Sequence, residues 1–214
     1  MSSTPHPLPN ALPRSRLGAP LLAIVLVLLA LSGIRPFDMP TWWLEVGPIL
    51  FAVPILVLSR RSFPLTTLSC VLLALHAVIL MVGGRYTYAK VPVGDWVRDA
   101  LHLARNPYDK LGHLAQGFVP AIVLREVLLR TTPLRPSKWL FALVVGFCLG
   151  ISAAYELVEW LAAVLFGAGA ESFLGTQGDE WDTQSDMLWA LVGALLALLV
   201  LRRVQDRQLA PYVE

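Results

Sequence analysis

Apolar positions run along this chain in long blocks separated by short polar stretches, and the blocks have the length of helices rather than strands. They fall at residues 19–34, 44–59, 64–83, 110–129, 138–166 and 183–201. Each approaches or exceeds the roughly 20 apolar residues that cross a bilayer. The pattern predicts an all-α, polytopic transmembrane helical bundle of about six spans. Residues 1–18, rich in Pro and Ser, read as a disordered tail. Residues 19–203 read as one transmembrane helical domain and 204–214 as a polar tail. The first block has a rival reading as a signal peptide, with a weak cleavage site at Ala30-Leu31-Ser32. More spans follow, so an uncleaved first span suffices.

Composition agrees with the blocks. The chain is 56% hydrophobic and 15% charged, where soluble domains carry about 25% charge. No basic tract suggests nucleic acid, and no CxxC motif appears; Cys70 and Cys148 sit in apolar blocks as small core hydrophobes. The placement of charge says more than its sum. Arg14 and Arg16, Arg60 and Arg61, Arg130, Arg135 and Lys138, then Arg202, Arg203 and Arg207 all fall on one side of a six-span arrangement. The positive-inside rule makes that side, and both termini, cytoplasmic.

Several local features carry their own expectations. Trp42, Trp43, Tyr108 and Trp181 read as interface anchors. Residues 95–105 form a short amphipathic stretch that would lie along the membrane surface. Gly146-x-x-x-Gly150 with Ala153 and Ala154 reads as a face for close helix packing. His76 reads as a packing or hydrogen-bonding residue, Arg125 and Glu126 as a snorkelling pair, and Gly175-Thr-Gln-Gly178 as a flexible turn.

The candidate chemistry lies at the opposite end. The fourth block opens with Asn106-Pro-Tyr-Asp-Lys-Leu-Gly-His-Leu-Ala-Gln-Gly-Phe-Val-Pro120, in which a helix puts Asp109, His113 and Gln116 on one face. Asp109, Lys110 and His113 lie in its outer turns. The fifth block enters from the other side near residue 138, so Glu156 and Glu159 lie roughly 27–32 Å along it, near its outer end. Asp182 and Asp186 occupy the first turns of the sixth block, on one face. Three distant segments thus deliver imidazole, amide, ammonium and carboxylates to one depth. Clustered carboxylates repel one another and need a positive partner: Lys110, a protonated His113, or a divalent metal such as Mg, Mn, Fe or Zn. The spacing matches no strong zinc signature. The bland alternative is that these groups pair across helices and lock the bundle, with Asp182 and Asp186 favouring the last helix's N-terminus.

The Asn106–Pro120 stretch, Tyr155-Glu-Leu-Val-Glu-Trp160 and Gly175-Thr-Gln-Gly-Asp-Glu-Trp-Asp-Thr-Gln-Ser-Asp-Met187 resemble the YjdF-type bacterial inner-membrane proteins, a family of unknown function. The resemblance covers most of the chain from about residue 35 and implies a multi-pass protein of the bacterial plasma (inner) membrane, with no established reaction. More loosely, Asp109-Lys110, His113, the later Glu and Asp182 to Asp186 with Gly193 resemble the VanZ-like membrane proteins, some linked to glycopeptide resistance. This sequence lacks the Asn that those proteins often carry two or three residues after Asp186.

The functional expectation is an outward-facing polar pocket that binds or modifies a lipid-linked or envelope ligand. In an enzymatic version Glu156 or Glu159 is a general base and His113 a base or metal ligand, with Asp109, Lys110, Gln116, Asp182 and Asp186 contacting the ligand. Two alternatives stand beside it: a small transporter or proton-coupled carrier, and a non-catalytic membrane scaffold.

Overall fold

The computed structural model describes residues 15–167 and 171–212. Most of the expected N-terminal tail therefore lies outside the described residues. The helices are α1 (Gly18–Ser32), α2 (Met39–Ser59), α3 (Thr67–Tyr86), α4 (Pro92–Leu101), α5 (Tyr108–Thr131), α6 (Lys138–Phe166), α7 (Glu171–Leu174), α8 (Asp182–Val200) and α9 (Arg202–Leu209). Five of them, α2, α3, α5, α6 and α8, are long and apolar enough to cross a membrane. The first block forms α1, whose 15 residues span only about 22 Å. With it the bundle has the expected all-α, multi-pass architecture of about six apolar segments.

Caps set several helix starts. Asp38 accepts from the Thr41 amide before α2, Thr66 from Ser69 before α3, and Ser137 from Leu140 before α6. In the centre, α5 packs along α8, and the two run parallel: Lys110 meets Ser185 near their starts and Arg125 meets Gln205 just beyond the end of α8. Two glycines let the backbones touch. A Cβ on Gly117 would run into the Ala190 carbonyl, and one on Gly193 into the Leu114 carbonyl and the Phe118 amide. A small-residue contact was expected at Gly146 and Gly150, but an added Cβ there meets no described atom within 4 Å. That face of α6 looks outward, and the close approach belongs to α5 and α8. Ala121, Ile122, Val144, Cys148, Ala194 and Ala197 fill the core beside it.

Further expectations change. Trp42 is buried, its indole N–H donating to Ser32 Oγ at 3.0 Å, so it ties α1 to α2 while only Trp43 faces out. Tyr108 is also buried, donating to the Ile79 carbonyl at 3.1 Å. Trp181 is exposed, as a belt residue would be. Arg125 and Glu126 do not snorkel. Both are buried: Arg125 donates to Gln205 at 2.8 Å and Asp206 at 2.6 Å, and Glu126 accepts from Thr66, Ser69 and Arg130. Gln205 belongs to α9, so the segment expected as a tail continues as a helix docked on α5 through buried Gln205 and Leu209. The amphipathic stretch forms α4, with Trp96 and Leu101 exposed.

Candidate functional site

The acidic end of the bundle is built by α5, α6 and α8. The first turns of α5 carry Asp109, His113 and Gln116 down one face, as the helical spacing requires. The last turns of α6 carry Glu156 and Glu159, and the first turns of α8 carry Asp182 and Asp186. Because α5 and α8 run parallel in backbone contact, their acidic starts lie side by side.

His113 is the centre. Its Nε2 lies 3.6 Å from Asp109 Oδ1 and 3.9 Å from Asp186 Oδ2. Its Nδ1 lies 3.1 Å from Gln116 Oε1 and 3.9 Å from Glu156 Oε1. In the neutral tautomer that donates Nδ1–H to the Gln116 carbonyl, the Nε2 lone pair faces the two aspartates. One ligand atom each from Asp109, His113 and Asp186 lie within 4.8 Å of one another, and so do atoms of His113, Glu156 and Glu159. Asp109, His113, Glu156 and Asp186 are all buried, and Asp109 Oδ2, Glu156 Oε1 and Asp186 Oδ1 have no hydrogen-bond partner. Buried polar atoms are nearly always paired, and an unpaired one costs about 1–3 kcal/mol. Two of them face Nε2 of one imidazole and the third faces its Nδ1, and such carboxylate–imidazole groups are chemically suited to a divalent cation.

Two expected members stand at the margin. Lys110 donates to Ser185 at 2.8 Å, bridging α5 and α8 beside the carboxylates. Asp182 pairs with Arg105, a residue of the polar connection that had no expected role. Arg105 also donates to the Thr176 carbonyl and bridges to Asp179, both at 2.9 Å. Burial opposes its charge, but Asp182, Asp179 and Asp186 together raise its pKa above the ordinary arginine value. Replacing Arg105 with Met should cost about 2 kcal/mol, because the buried Asp182 loses a charged partner. Hydrogen exchange should then speed selectively in residues 173–182.

Around the centre, the acidic loop and α7 form a cover. Buried Phe173 meets the Tyr155 ring edge-on at 6.1 Å, and Tyr155 meets His113 at 6.3 Å. The Tyr155 hydroxyl donates to Glu45 at 3.3 Å. Glu45, buried in α2, passed unnoticed in its apolar block; the signal was that it is the lone acid there. Burial, then the Glu45 carboxylate, raises the pKa of Tyr88 well above the ordinary tyrosine value, keeping its hydroxyl neutral beside this group. The expected turn is a run of left-handed backbone at Gly175, Gln177 and Gly178. Gln177 clasps the Asn106 backbone with bonds of 3.0 and 3.1 Å. Asn106 in turn bonds Val91, Asp95 and the Tyr108 amide, so its role is to hold α4 against the start of α5.

Residues 18–207 match the family described as predicted membrane protein (DUF2238). The chain is 54% identical over 188 residues to the inner membrane protein YjdF of Escherichia coli (strain K12), covering 88% of this chain and 90% of that one. These matches carry the YjdF-type resemblance and the multi-pass inner-membrane location; they do not carry the VanZ-like one. No solved structure matches the chain.

Proposed function

The chain belongs to the DUF2238 family of predicted membrane proteins, and from there we propose that its buried carboxylate–imidazole centre holds a divalent cation and through it binds an anionic group of a lipid-linked or envelope ligand. Asp109, His113 and Asp186 are the metal ligands, with Glu156 and Glu159 as further carboxylates able to ligate or take a proton. Gln116 orients the imidazole. Asp182 and Lys110 secure the entrance.

The observation that carries this reading is the trio of unpartnered buried carboxylate oxygens on Asp109, Glu156 and Asp186 around one histidine. A scaffold role would leave them no reason to stay unpaired. A carrier would need the polar stripe to continue along α5, yet between Gln116 and Arg125 that helix buries Gly117, Val119, Ala121 and Ile122.

Metal analysis of the purified chain tests it. The wild type should carry about one divalent ion per chain, lost in both His113→Ala and Asp186→Asn. Asp186→Asn should nevertheless melt no lower than the metal-stripped wild type, because the amide relieves carboxylate repulsion. No bound metal, together with a strongly destabilised Asp186→Asn, would overturn the reading in favour of a structural lock.

A further inference from the structure

At the other end of the bundle we infer a second site, a pocket for the phosphate of an anionic phospholipid. It stands independently of the acidic centre. A cavity of about 600 Å3 opens between the start of α6, the end of α8 and α9. Lys138, Arg202 and Arg203 line it and are exposed. Buried Arg125 forms its floor, with its charge met by Asp206 at 2.6 Å. Among the described residues, Lys138, Arg202 and Arg203 make no ion pair. The pocket therefore has three unmatched positive charges around a rigid fourth.

The remaining wall decides what class of anion fits. Phe141, Val144 and Leu198 line its apolar side, buried Val144 and Leu198 at the back and Phe141, 39% exposed, toward the apolar outer face of α6. A soluble anion would use the cationic rim and leave this wall idle. An amphiphile uses both, its phosphate among the three cations and its chain along the apolar wall. Basic pockets between membrane helices take acidic lipid headgroups in this way. A zwitterionic headgroup would bring its ammonium against the same cations, so the pocket selects net negative charge.

The test is native mass spectrometry of the full chain in detergent with phosphatidylglycerol, phosphatidylethanolamine or inorganic phosphate added. Phosphatidylglycerol should bind at least tenfold more tightly than phosphatidylethanolamine, since each basic residue near the phosphate contributes about fivefold. The triple variant Lys138→Gln/Arg202→Gln/Arg203→Gln should lose that preference. A control of equal charge change on the same end, Arg60→Gln/Arg61→Gln/Arg207→Gln, should keep it. Should the cavity triple fail to fold, Lys138→Gln alone should lower the preference about threefold to fivefold. Equal loss in both triples would reduce the effect to general surface charge and overturn the site. So would the absence of any preference, and displacement of the lipid by millimolar phosphate would assign a free-anion site instead.

Discussion

Replacing Gly117 with Val should abolish the native bundle, at a cost above about 4 kcal/mol. The new Cβ would occupy the space of the Ala190 carbonyl, and backbone cannot move aside as a side-chain tip can. Separating α5 from α8 would also pull Asp109 and His113 away from Asp186, so metal binding should disappear with stability. The matched control is Gly146→Val, also a mid-helix glycine of a span-length helix. An added Cβ there meets nothing within 4 Å, and its effect should stay within about 0.5 kcal/mol. Thermal melting and size-exclusion profiles in one detergent would separate the two. Equal effects would show that the α5–α8 contact is not where the backbones approach.

Glu126→Ala should be the most damaging change to a single side chain. Its carboxylate accepts from the Thr66 amide at 2.9 Å, the Thr66 hydroxyl at 2.7 Å, Ser69 at 2.6 Å and Arg130 at 2.7 Å. Removing it leaves the start of α3 without its partner and the Arg130 guanidinium, whose side chain is only 4% exposed, with a buried charge. Breaking a buried pair from one side costs about 3–5 kcal/mol. Thermal melting should therefore place Glu126→Ala far below wild type, with Glu126→Gln between them because it keeps one acceptor. This acid differs from those at the opposite end. Every oxygen of Glu126 is occupied, whereas one oxygen on each of Asp109, Glu156 and Asp186 is not. The first is what a structural carboxylate looks like; the others break the rule of satisfied burial, as sites of function do.

Helical blocks and the convergence of three segments on one end were legible, because both depend on periodicity and rise alone. The gathering of His113 with Asp109, Gln116, Glu156 and Asp186 follows from those two quantities. Side-chain partners were not legible. Gly146 and Gly150 have the spacing of a packing motif and face outward, while Gly117 and Gly193 form the real contact from two helices that share no local pattern. Trp42 and Tyr108 have belt chemistry, but hydrogen bonds to Ser32 and Ile79 hold them inside. Arg105 lay among mixed charges in a connection, where nothing nearby indicates that Thr176, Asp179 and Asp182 wait about 75 residues away. Gln205 read as part of a tail because its partner Arg125 lies 80 positions earlier.

That last separation bears on how the protein is made. A ribosome emits α5 long before α8 and α9, so for the intervening time His113 lacks Asp186 and Arg125 lacks Gln205 and Asp206. The least apolar of the span-length helices must wait in the membrane, with its imidazole and guanidinium uncovered, until α8 and α9 follow. Completion thus falls to α8 and α9. A nascent protein cut short after α6 would be left with an unmatched polar helix, the kind of flaw that quality-control proteases of a membrane can detect.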